Sequence, residues 1–218
     1  MARNTVIGFI TLLAIGVFSL FTYVSMDLEP GEVVANEDYL VIDSPRPRRQ
    51  GDPIEVVEFF SYACIHCMTF DPIIEDWAED QQDDVVFRRQ PTTFSPIYAL
   101  LAQTYYALEA TGALEQNHNR IFRAIHDARR QFLTPDMVAE YVDGRGVSKE
   151  DFMRAFDSPE VRKAMRDADR DQRIFQITGT PSLVVAGKYT VGMGGGQGRA
   201  LQVVDQLISQ ERGADETP

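Results

Sequence analysis

The sequence predicts an α/β fold in the order β, β-α-β, helical block, β-β-α. Three observations carry this expectation. Ile54-Glu55-Val56-Val57-Glu58-Phe59-Phe60 is a β-branched and aromatic run without a breaker, the pattern of a strand buried on both faces. Residues 97–175 then place apolar side chains at helical spacing almost throughout. After them, Ser182-Leu183-Val184-Val185, the turn Ala186-Gly187-Lys188 and Tyr189-Thr190-Val191 read as an antiparallel hairpin.

The elements follow in chain order. Val6 to Met26 is free of charge, and about 20 apolar residues are enough to cross a bilayer core as a helix. Arg3 precedes this run while Asp27, Glu29, Glu32, Glu37 and Asp38 follow it, so the positive-inside rule leaves the N-terminus in the cytoplasm and exports the rest. Residues 1–26 are thus expected to form an uncleaved membrane anchor. A cleaved secretory signal is the alternative, with Val33-Val34-Ala35 as a weak cleavage site. Residues 27–37, acidic and carrying Pro30 and Gly31, suit a linker.

Tyr39 to Ile42 reads as a short strand stopped at Pro45-Arg46-Pro47. After the 54–60 strand, a helix is expected from about Cys64 to Glu79 and a third strand over Val85 to Arg89, making a parallel β-α-β unit. Within the helical block, Thr134-Pro135-Asp136 and Ser158-Pro159-Glu160 are helix starts, and Gly112, Gly144 and Gly146 are stops. Arg162 to Arg173 alternates in charge sign and reads as a solvated helix face. The Gly192 to Gly198 run is a turn, since no β-α-β unit follows it to make a phosphate loop. Leu201, Val204, Leu207 and Ile208 then form the stripe of a last helix.

Composition narrows the function. Twenty-one Lys+Arg against 33 Asp+Glu give a net charge of −12 over 218 residues, which argues against a nucleic-acid partner. Only two cysteines are present, too few for a disulfide-stapled fold or a four-thiolate metal site, so they must act as a pair. They form Cys64-Ile65-His66-Cys67, at the junction of a buried strand and a helix. Unpaired N–H groups and the helix dipole at such an N-terminus favour a thiolate. His66, between the sulfurs, can add a hydrogen bond or a positive charge. Both effects stabilise the reduced form and make the disulfide a stronger oxidant. The alternatives are a half zinc site and two inert buried thiols; His118 and His126, eight apart on one helix, cannot chelate together.

Glu58-Phe59-Phe60-Ser61-Tyr62-Ala63-Cys64-Ile65-His66-Cys67, the helical block, and Gly179-Thr180-Pro181-Ser182 before a hairpin resemble the DsbA family of periplasmic thiol:disulfide interchange proteins. The resemblance covers Tyr39 to about Ser209. It implies a thioredoxin fold interrupted by a helical domain: residues 38–96 and 176–211 as the two parts of the fold, 97–175 as the inserted domain, 212–218 as a flexible tail. It further implies that Cys64 is the exposed nucleophile, Cys67 its buried partner, and Pro181 a cis-proline against the disulfide. Glu58, an acid in a buried strand, would lie beneath the disulfide as proton acceptor for Cys67. Thr180 would pair through its backbone with an extended substrate. Ile65 and Thr180 depart from the family's common Pro and Val, at positions that tune redox potential and partner choice.

The expected activity is disulfide donation to reduced exported proteins by a periplasmic, membrane-tethered monomer. By resemblance, a quinone-linked membrane partner of the DsbB type reoxidises the pair, and no organic cofactor is bound. A reductase or isomerase of the same fold is the first rival. A soft-metal-binding module using Cys64, His66 and Cys67 is the second.

Overall fold

A computed structural model describes residues 33–43 and 49–216, and the sequence-predicted membrane segment, residues 1–26, lies outside them. Among the described residues no helix is long and apolar enough to cross a membrane. Strand β1 (Tyr39–Val41) stops one residue short of expectation. Ile42 is nevertheless buried and donates its N–H to the Lys188 carbonyl at 2.9 Å.

Strand β2 (Ile54–Phe60), helix α1 (Ile65–Glu79) and strand β3 (Val85–Pro91) form the expected β-α-β unit, with β2 and β3 parallel. Five helices follow: α2 (Pro96–Ala110), α3 (Leu114–His126), α4 (Pro135–Val142), α5 (Lys149–Phe156) and α6 (Pro159–Ile174). Ser95, Thr134, Ser148 and Ser158 are extended N-caps whose hydroxyls accept from the backbone N–H three residues on, satisfying donors that a helix start leaves unpaired. Gly112 and Gly144 adopt φ +68° just past α2 and α4, where a side chain would be strained. The alternating charges of α6 are laced by Lys163–Asp167, Arg170–Asp167 and Arg173–Asp169 pairs at 2.6–2.7 Å. Strands β4 (Ser182–Val185) and β5 (Tyr189–Val191) make the hairpin.

The sheet order is β1-β5-β4-β2-β3. It is mixed, because β2 pairs parallel with β3 but antiparallel with β4. Its two faces have different covers. Phe60 enters an aromatic cluster with Tyr62, Tyr105 and Phe122 from the helical side, while Val57 and Phe59 pack on Phe175, Ile177 and Val184. Glu58, two residues from Phe60, therefore faces the helical side.

Helix α7 (Gln197–Glu216) corrects one expectation, since residues 212–216 are helical rather than a flexible tail. The reason is a clasp at its end. Arg212 binds Asp84 through two bonds of 2.6 and 2.7 Å, and Gln50 donates to the Asp215 carbonyl at 2.6 Å.

Candidate active site

Strand β2 delivers the chain to the start of α1, and Cys64 occupies the N-cap. Its backbone is extended (φ −97°, ψ 115°) and its Sγ accepts the Cys67 N–H at 3.4 Å, the place usually taken by a Ser or Asp oxygen. A second segment, 116 residues away, closes over it: the Cys64 thiol donates to the Thr180 carbonyl at 3.3 Å. The Thr180–Pro181 peptide bond is cis. This segment leaves Cys64 only 9% exposed, more covered than the resemblance implies, while Cys67 is wholly buried.

The two thiols are electrostatically unlike. A hydrogen bond from Cys67, which outweighs partial burial and is joined by the side chain of Thr180 and the N–H groups of Cys67 and His66, lowers Cys64 to about 5. Burial, reinforced by Cys64, pushes Cys67 far above the ordinary thiol range. One sulfur is thus a ready thiolate and leaving group at neutral pH, and the other holds its proton. His66 contributes its backbone N–H to Cys64, while its side chain is exposed. Ile65 is 47% exposed beside the pair.

Beneath the cysteines lies a buried set of charges. The β2–β3 register sets Glu58 directly opposite Arg89, and Glu58 Oε2 stands 3.3 Å from Arg89 Nε. The alignment is too poor for a hydrogen bond, so both atoms are buried without one. Burial, opposed by Arg89 and assisted by Asp71, raises the Glu58 carboxyl to about 8. Arg89 Nη2 also meets Asp71 Oδ1 at 2.8 Å and Glu75 Oε1 at 3.0 Å. Asp71 Oδ1 in turn accepts from His118 Nε2 at 3.0 Å, and His118 Nδ1 lies 2.8 Å from the Tyr62 hydroxyl. Burial acts to raise Asp71, but the bonds and charges of His118 and Arg89 prevail and hold it below the usual range.

Breaking this set should be costly, because removing one member of a buried ion pair leaves its partner uncompensated. Arg89→Met is expected to lower stability by about 3–5 kcal/mol, read as a fall in the urea midpoint at unchanged slope.

The predicted residues Cys64, Cys67, Thr180 and Pro181 thus meet at one point, with Glu58 on the floor and Ile65 and His66 at the rim. Sequence reasoning missed Tyr62, Asp71, Arg89 and His118. Asp71 did carry a signal: it sits among Cys67, Phe70 and Ile74 on the buried stripe of α1, where an unpaired acid would be expensive. Arg89 and His118 come from other elements and become legible only once these are packed.

A dithiol at a helix N-cap, one sulfur activated and one buried, faced by a cis-proline segment, defines a thiol:disulfide oxidoreductase of thioredoxin-like fold. Residues 55–207 match the DSBA-like thioredoxin domain, and the chain belongs to that family. It is 35% identical to the thiol:disulfide interchange protein DsbA of Pseudomonas aeruginosa, over 93% of this chain and 97% of the relative. It is 37% identical to that of Azotobacter vinelandii, over 97% and 99%. The crystal structure of Pseudomonas aeruginosa DsbA superposes with a TM-score of 0.80 at 37% identity, covering 85% of this chain and 97% of that one. The oxidoreductase DsbA of Xylella fastidiosa gives 0.78 at 34%, covering 84% and 98%.

Proposed function

We propose that the protein donates its Cys64–Cys67 disulfide to reduced proteins exported to the periplasm. The observation that carries this reading is the lowered Cys64 thiol beside a buried Cys67. A substrate thiolate attacks Cys64 Sγ, the Cys64–Cys67 bond breaks, and Cys67 leaves with the electron pair. A second substrate thiolate then attacks the mixed disulfide, releasing Cys64 as a stable thiolate and forming the substrate disulfide. Glu58 supplies the proton that Cys67 takes up and accepts it again during reoxidation. Thr180 offers backbone groups to an extended substrate, with Pro181 holding that edge against the sulfurs, and Ile65 and His66 flank the approach.

The protein works as a monomer, tethered to the inner membrane by residues 1–26 and reoxidised by a quinone-linked membrane partner of the DsbB type. The test is the redox equilibrium of the Cys64–Cys67 pair in glutathione buffers, read by thiol trapping. Equilibrium well on the oxidising side of structural disulfides is expected. A reducing equilibrium would reverse the direction of electron flow and make the protein a reductase. Cys67→Ser should accumulate mixed disulfides with substrates through Cys64, detectable as adducts that dissolve on reduction.

A further inference from the structure

The charge set under the cysteines does not end at Glu58 and Arg89. It continues through Asp71 to His118 on α3 and Tyr62 before α1, in steps of 3.3, 2.8, 3.0 and 2.8 Å. His118 is 5% exposed and its ring is enclosed by Phe60, Tyr62, Tyr105 and Phe122, with ring centroids 5.2–6.2 Å away. Asp71 can only accept on this contact, so Nε2 carries a proton. His118 Nδ1 lies 2.8 Å from the Tyr62 hydroxyl, so both ring nitrogens have a partner.

The geometry points to His118 as a positioning residue for the redox step: by holding Asp71, it determines how much of Arg89 remains for Glu58, and so how readily Glu58 accepts the proton of Cys67. This rests on the role of Glu58 proposed above. Asp71 Oδ1 has two partners, an ion pair with Arg89 and the hydrogen bond of His118, and Asp71 Oδ2 is buried with none. With His118 gone, the carboxylate has Arg89 alone and draws it away from Glu58, whose contact with Arg89 is already the longest in the set and makes no hydrogen bond. Glu58 then keeps its proton to higher pH. The groups that face Glu58 are Cys64 at the N-cap of α1, Cys67 and Asp71 on α1, with Glu75 reached through Arg89, and Arg89 itself on β3; of these only Arg89 shifts. From α2, Tyr105 faces His118, and the charge of Glu109 acts on Tyr62 and Tyr105.

The affected step is ring closure during reoxidation. Cys64 thiolate attacks oxidised glutathione, giving the Cys64–glutathione disulfide and one glutathione thiolate. Cys67 then passes its proton to Glu58 and attacks Cys64 Sγ; the Cys64–Cys67 bond forms, the Cys64–glutathione bond breaks, and the second glutathione leaves with the electron pair and is protonated by solvent. Two electrons pass from the dithiol to glutathione disulfide.

The experiment measures the pH dependence of this closure at saturating oxidised glutathione, by acid quench and thiol trapping, on the full chain. His118→Phe is expected to move the acid limb upward, with a fall of up to about tenfold on that limb for each pH unit of displacement. His118→Gln, which keeps a donor toward Asp71, should restore the limb. In a Glu58→Gln background, His118→Phe should move nothing further, because the two act as one unit. An unmoved limb in His118→Phe, or an equal displacement in both backgrounds, overturns the inference. If instead Glu58→Gln leaves the wild-type profile intact, it is the role of Glu58 that fails. Should His118→Phe not fold, imidazole 15N resonances decide: the His118 signal should carry an inflection near pH 8, at the Glu58 titration, that is lost in Glu58→Gln, and its absence in the wild type or its persistence in Glu58→Gln overturns the assignment.

Discussion

Replacing Cys64 with serine will reduce disulfide exchange to background while leaving the fold intact. The loss is chemical. A serine hydroxyl stays protonated at neutral pH and forms no bond equivalent to a disulfide, so neither the attack on a substrate nor its reverse can occur. The structure is spared because Cys64 is an N-cap whose Sγ accepts the Cys67 N–H, a role for which serine is among the preferred residues. Thermal unfolding of the mutant should therefore match the reduced wild type below about pH 5 and fall short of it at neutral pH only by the loss of the thiolate described next. Residual catalysis of thiol oxidation in the serine variant would remove Cys64 from the mechanism.

The second large effect is a redox-dependent stability whose sign follows from Cys64. Its thiol is lowered to about 5 in the folded reduced protein, against about 8.5 in an unfolded chain. A lowered group adds stability that is complete above the unfolded value and lost as pH falls through the folded one. The reduced protein should thus gain on the oxidised protein from about pH 5 to about pH 8.5, by on the order of 4–5 kcal/mol at full extent. Below about pH 5 this advantage should vanish. Glu58 acts oppositely, since its raised carboxyl makes the reduced form lose stability as pH rises from the ordinary carboxylate range toward about 8. Subtracting the denaturation curves of the two forms leaves the Cys64 contribution together with its coupling to Glu58, and the ultraviolet absorbance of the thiolate gives the Cys64 midpoint directly. A stability gap independent of pH would place the thiolate outside the driving force.

The sequence exposed those parts of this arrangement that are local. The 54–60 strand, the helix after Cys64 and the tight hairpin each carry their determinants within a few residues, and β2, α1, β4 and β5 stand where the pattern put them. Cys64 and Cys67 were legible because their spacing coincides with a strand-to-helix junction. The supporting charges were not, because their meaning depends on register and packing. Glu55 and Glu58 look alike in the strand, yet Glu55 pairs with Arg88 and is half exposed, whereas Glu58 meets Arg89 in the interior. His118 was considered only as a chelator with His126, but the two rings serve the same loop by different atoms: His118 the Tyr62 hydroxyl, His126 its carbonyl at 2.9 Å. The helical end of α7 escaped because its anchor, Asp84, is 128 residues from Arg212.

The closure of Thr180 over Cys64 also governs when the site can exist. Strand β2 finds its antiparallel neighbour only in β4, with the whole helical block between them, and the Cys64–Thr180 contact spans 116 residues. Chains emerge N-terminus first, and contacts of such long range pay their loop-closure entropy late. While the polypeptide is being made, Cys64 and Cys67 lack the Thr180 segment that covers them in the finished protein. The covered site is therefore complete only once β4 has paired with β2.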